Sequence, residues 1–145
     1  MSFFAIARLL IVAAVAGGSA WSANGPANAA MMQDNIERYR VEAKALGQGF
    51  EAFSAERGRI LFSSNPAAGK PDTPSCTACH TTDPAGVGQT RAGKEIAPMA
   101  LSRTPDRYID VKKIEKWFRR NCNSVLGREC TPLEKGDFLT FMASQ

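Results

Sequence analysis

Cys76-Thr77-Ala78-Cys79-His80 constrains this chain more than any other stretch. The spacing C-x-x-C-H lets one helical turn present two thiols on the same side and places an imidazole just beyond them. His80 is the one histidine among 145 residues, and it falls at this motif. The chemistry it predicts is covalent attachment of a single haem. Cys76 and Cys79 add to two vinyl groups, and His80 becomes the proximal iron ligand. Two other uses of the cysteines are weaker. A thioredoxin-like pair calls for a βαβ context, and none is visible. A zinc site could draw on Cys76, Cys79, Cys122 and Cys130 as four thiolates.

The start of the chain reads as an export signal. Met1 to Arg8 carries one charge, Leu9 to Ala16 is an unbroken apolar run, and small residues follow up to Ala27-Asn28-Ala29. That order is a secretory signal peptide over residues 1–29, with cleavage after Ala29 and Ala20 as the alternative site. The apolar run falls short of the roughly 20 residues a membrane-spanning helix needs. The remainder, 30–145, is about 115 residues, the size of one domain. The expected destination is the periplasm, an oxidising compartment in which free thiols need a reason. The net charge of +4 is modest. It suits an acidic protein partner better than nucleic acid, which is not expected for an exported chain.

The pattern along 30–145 is all-α, with about four helices and one long loop. Ile36, Tyr39, Ala43 and Leu46 have helical spacing over Asp34–Leu46, and Gly47 and Gly49 stop it. A second helix is expected from about Phe50 to Phe62, with Gly58 permitting close approach of a neighbour. From Ser63 to about Pro105 the chain is rich in Pro, Gly, Ser and Thr. A loop that long in a small domain is explained if it wraps a cofactor. Asp110 caps a third helix, whose apolar face includes Val111, Ile114, Trp117 and Phe118. Trp117 and Phe118 are expected in the core or the haem-pocket wall. Thr131-Pro132-Leu133-Glu134 is a capping box opening the last helix, which reaches about Ala143.

Cys122 and Cys130 flank Gly127 and do not form a second haem motif. A structural disulfide is the favoured reading, contributing about 2–3 kcal/mol by closing a short loop. A redox-active pair is the alternative. His80 supplies one axial ligand, so the sixth position on the iron needs another residue or stays open. Spacing alone ranks Met99 first, since small cytochromes commonly use Met. Met31, Met32, Met142, Asn121 and Lys94 are further candidates. Arg91, Lys94 and Arg103 could pair with haem propionates. Lys112, Lys113, Lys116, Arg119, Arg120 and Arg128 form either a solvated face or a dock for an acidic electron donor.

A resemblance reorders the axial candidates. Lys116-Trp117-Phe118-Arg119-Arg120-Asn121-Cys122, then Gly127-Arg128-Glu129-Cys130-Thr131 and Glu134-Lys135-Gly136-Asp137, resembles the sphaeroides haem protein (SHP) family of high-spin monohaem cytochromes c. Arg91-Ala92-Gly93-Lys94-Glu95-Ile96-Ala97-Pro98 resembles the same family. The likeness runs from about Ala55 to the last helix. It implies a class I cytochrome c-like fold and a Cys122–Cys130 disulfide. It also implies Asn121 as the sixth ligand, with Met99 as the rival. A carboxamide oxygen is a hard, neutral donor that suits Fe(III) better than Fe(II). Asn121 would therefore leave on reduction and open the iron to O2, NO or CO. The resemblance further implies a dihaem cytochrome c and a membrane b-type cytochrome as electron donors.

The expected function is one-electron transfer with gas binding in the reduced state, by a monomer or weak dimer. An ordinary His/Met carrier is the second reading, and a haem reductase of O2, NO or peroxide the third. A peroxidase-like site would want a distal acid–base residue, and no second histidine supplies one. A gas sensor would want an output domain, and none is visible. Replacing both thiols, Cys76→Ala with Cys79→Ala, should abolish covalent haem. Acid–acetone extraction checks this, and haem retained on the variant would overturn the attachment.

Overall fold

A computed structural model describes residues 25–47 and 49–145. Residues 1–24 of the expected signal peptide lie outside the described residues. Among the described residues, five helices and one short strand pair follow in order: α1 Gly25–Ala45, α2 Ala55–Ser63, α3 Thr77–His80, β1 Gly88–Gln89, β2 Glu95–Ile96, α4 Val111–Val125 and α5 Pro132–Ala143. β1 and β2 pair antiparallel, with Gly88 opposite Ile96 and Gln89 opposite Glu95. Two residues per strand leave no alternation for a sequence pattern to show. The turn between them uses Gly93 at φ 78°.

α5 is the centre of the molecule. It buries Phe138, Leu139, Phe141 and Met142 and packs against both α1 and α2. A helix apolar on most sides belongs in the interior. Glycines set the closest approaches. A Cβ on Gly58 of α2 would overlap the Asp137 carbonyl of α5, the close neighbour that Gly58 led us to expect. A Cβ on Gly136 would overlap the Phe53 ring. Buried Asp137 ties α2 to this contact, accepting from the Ser54 amide at 2.7 Å and from Arg57 at 2.7 and 2.8 Å.

The helix ends follow local chemistry. Ser54 caps α2 by accepting from the Arg57 amide, so the helix starts at Ala55 rather than near Phe50. Phe50 and Phe53 instead stack edge-on, with centroids 4.9 Å apart. Asp110 caps α4, and the Thr131–Glu134 box opens α5, as the sequence predicts. α1 begins at Gly25, earlier than the expected Asp34, because Ala-rich residues continue the helix without a buried face to reveal it. The expected cleavage after Ala29 falls within α1. Trp117 stays out of the apolar core at 44% exposure, which leaves the haem-pocket wall of its two expected places. Phe118 does turn inward, edge-on to Tyr39 at 6.0 Å and Phe138 at 5.5 Å.

Glu115 joins three helices. It accepts from Tyr39 Oη at 2.5 Å, Arg38 at 3.0 Å and Lys135 Nζ at 2.8 Å. Burial alone would raise its carboxyl, but the bonds from Lys135, Tyr39 and Arg38 outweigh burial and hold it at about 2. The folded value lies below the ordinary 4.5, so the stabilisation is complete above about 4.5 and fades as pH falls towards 2. Glu115→Gln should therefore destabilise the protein at neutral pH, and its deficit should shrink on acidification through that window. Urea unfolding of both proteins at pH 7 and pH 3 checks this. An equal deficit at both values would show that the charge is not what binds the helices.

Candidate haem centre

α3 is a single turn built by the motif itself. The Cys79 and His80 amides both donate to the Cys76 carbonyl, at 3.2 and 3.1 Å. Ser75 Oγ accepts from the Ala78 amide at 3.1 Å and steadies the start of the turn. Thr81 ends it at φ 61°. β1 closes the back, where a Cβ on Gly88 would overlap the Cys79 carbonyl and crowd the His80 backbone. Cys76 and Cys79 therefore leave one short turn together, both as free, half-buried thiols.

The electrostatics favour neutral groups. Burial pushes the Cys76 thiol up to about 11, whereas a disulfide-exchange cysteine has its thiol lowered. Burial, with the Arg107 charge behind it, brings the His80 imidazole down to about 4. At neutral pH His80 is thus uncharged, the form that ligates a metal. Its Nδ1 is buried with no hydrogen-bond partner, so no protein group holds the ring by that atom. A neutral Cys76 thiol, the free Cys79 thiol beside it and a neutral, unpartnered imidazole on one turn fit covalent haem.

Cys122 and Cys130 form a disulfide with Cα atoms 5.5 Å apart. The four-thiolate zinc alternative thereby loses half its ligands, and the described residues contain no cluster of three metal-binding side chains. The disulfide lies beside the segment that leads into the motif. Lys70 N and Thr73 Oγ1 both donate to the Ser124 carbonyl of α4, at 2.7 and 3.1 Å. Two glycines allow this approach. A Cβ on Gly69 would overlap the Ser124 carbonyl, and one on Gly127 (φ 69°) the Ala68 carbonyl.

The axial candidates differ in surroundings. Met99 is 7% exposed and belongs to the apolar core. Its amide donates to the Pro84 carbonyl at 2.8 Å, and its carbonyl accepts from buried Tyr108 Oη at 2.8 Å. Asn121 is exposed on α4, one residue before the disulfide. Met32 and Met142 are fully buried core residues, and Met31 is exposed on α1. Of the propionate candidates, Arg91 pairs with Asp72, while Lys94 and Arg103 are exposed. Arg107 is the cation whose charge reaches His80. It is half-buried and donates to the Ala97 carbonyl at 3.1 Å. No sequence pattern marked it, because its nearness to His80 comes from the folding of the loop. A cavity of about 390 Å³, lined by Ala43, Phe50, Phe53, Arg57 and Leu133 among others, contains none of the motif residues.

Gly69→Ala should destabilise the protein by about 1–3 kcal/mol, since the new methyl meets backbone rather than a yielding side chain. Denaturant unfolding checks this. Unchanged stability would mean that the segment before the motif does not seat on α4 as described.

Comparison with known proteins agrees with this geometry. Residues 48–142 match the family described as a domain of unknown function, DUF1924. The chain is 51% identical over 138 residues to the cytochrome c-type protein SHP of Cereibacter sphaeroides, covering 95% of this chain and 98% of that protein. It is 31% identical over 129 residues to cytochrome c'' of Methylophilus methylotrophus, covering 88% and 90%. The structure of oxidised SHP, described as an oxygen-binding cytochrome c, matches with TM-score 0.72 and 53% identity over 79% of this chain and 96% of that one. Oxidised cytochrome c'' matches with TM-score 0.69 and 31% identity over 80% and 95%. The fold is that of the class I-like cytochromes c, and the prosthetic group is covalently bound haem c. The chain belongs to the family of monohaem c-type cytochromes that includes SHP and cytochrome c''.

Proposed function

We propose that the protein is a periplasmic one-electron carrier whose iron takes O2 or NO when reduced, with Cys76 and Cys79 holding the haem and His80 the iron. Haem c supplies a one-electron couple and, when ferrous and five-coordinate, a place for a diatomic gas. The chain's own residues decide whether that place is free. Asn121 is the sixth ligand in this reading. Its neutral oxygen donor would suit Fe(III) better than Fe(II), whereas a methionine thioether would suit the reduced state.

One contrast carries the assignment. Met99 is packed in the apolar core with its backbone bonded on both sides. Asn121 stands exposed on α4, on the helix whose end Lys70 and Thr73 tie to the segment before the motif. The oxygen binding of the SHP relative supports an iron that opens on reduction. Export through residues 1–29 suits the reading. Every residue that α1 buries, from Met32 to Ala43, lies beyond Ala29, so cleavage there keeps the helix's packing face. A dihaem cytochrome c and a membrane b-type cytochrome are the electron donors proposed for it. NO and CO are proposed as further ligands of the reduced state.

The axial assignment is tested by optical spectroscopy of two variants. Asn121→Ala should keep its haem, change the ferric spectrum and raise the affinity for added azide or imidazole. Met99→Leu should change little, since Leu conserves most of the apolar volume. The wild-type ferrous protein should be high-spin and bind carbon monoxide readily. A silent Asn121→Ala, together with a Met99→Leu that loses a low-spin ferrous spectrum, would leave an ordinary His/Met carrier.

A further inference from the structure

α4 segregates its charges. Lys112, Lys113, Lys116, Arg119 and Arg120 are all exposed, and none has a carboxylate partner among the described residues. Other helices treat their cations differently. Arg38 and Arg40 of α1 pair with Glu42 and Glu37, and Arg59 of α2 pairs with Glu56. The single acid within α4, Glu115, is taken by Arg38 and Lys135. Five positive charges on one helix therefore stand uncompensated.

Two of them sit where a helix least favours them. Lys112 and Lys113 occupy the first turn of α4, which holds no acid of its own beyond the Asp110 cap that precedes it. The helix dipole is positive there, so cations in that turn oppose folding. About 100° per helical residue puts Trp117 and Asn121, one turn apart, along the edge of α4 that the axial assignment turns towards the haem, while Lys113, Lys116 and Arg120 lie on the face beside it.

We propose that the exposed basic face of α4, centred on Lys113, Lys116 and Arg120, docks an acidic electron-transfer protein. The inference rests on the electron-transfer reading above. One electron passes between the two proteins, one being oxidised as the other is reduced, and no bond or proton is exchanged. Charge complementarity sets the encounter rate.

The test is reduction of the ferric holoprotein, followed by stopped flow, with two donors of opposite charge. Reduced flavodoxin is the acidic protein donor, and hexaammineruthenium(II) is the cationic small one. For the wild type, the flavodoxin rate should fall steeply with added salt. In the variant Lys112→Glu/Lys113→Glu/Lys116→Glu, the low-salt flavodoxin rate should drop by about tenfold or more and lose its salt dependence. The hexaammineruthenium(II) rate should hold or rise. Lys112→Glu alone should raise the thermal midpoint while lowering the flavodoxin rate, because relief of the dipole and loss of docking have opposite signs. Equal flavodoxin rates in variant and wild type would overturn the proposal. So would binding to anionic phospholipid vesicles that the variant loses at unchanged flavodoxin rate, which would assign the face to a lipid surface. Unaltered carbon monoxide binding in the variant separates the two readings. The docking face could then fail while the iron chemistry stands.

Discussion

Lys70 and Thr73 share one acceptor, the Ser124 carbonyl, and that shared acceptor fixes where the segment leading into the haem motif meets α4. Gly69 and Gly127 are glycines because backbone passes backbone there. The Cys122–Cys130 disulfide brackets Ser124 and ties the end of α4 to the start of α5. α3 needs no long helix of its own, since the segment before it is already anchored. A single turn then suffices to aim two thiols and an imidazole.

The remaining framework rests on two carboxylates of different character. Asp137 is buried and holds the start of α2 through a backbone amide and the Arg57 guanidinium. Glu115 lies nearer the surface and gathers α1, α4 and α5 through Arg38, Tyr39 and Lys135. Exposed ion pairs contribute little individually. These two matter because each carboxylate serves several donors from different elements. The aromatic contacts from Tyr39 through Phe118 to Phe138 run beneath Glu115 and carry the apolar side of the same junction.

Sequence reading recovered what local chemistry determines. The C-x-x-C-H turn, the Asp110 cap and the Thr131–Glu134 box each depend on residues within a few positions. Gly58 was legible as a point of close approach, though not its partner Asp137. The start of α1 was not legible, because residues 25–31 bury no side chain and so leave no periodic trace. Trp117 lies at the border of α4's apolar face and outside the core, so its hydrophobicity alone could not separate the core from the haem-pocket wall. Arg107 beside His80 and the union of Lys70 with Ser124 are products of loop path. Nothing in the composition of residues 63–105 encodes them in readable form.

α4 is held at both ends and in its middle. Asp110 caps its start, Glu115 binds it to two other helices, and the disulfide with the Ser124 contact secures its end. These anchors oppose any slide or tilt of the helix. If Asn121 binds and leaves as proposed, its own side-chain torsions would carry the motion and the surrounding dipoles would stay where they were. The protein would then have little to rearrange when an electron arrives, and each return swing would start from the same backbone position.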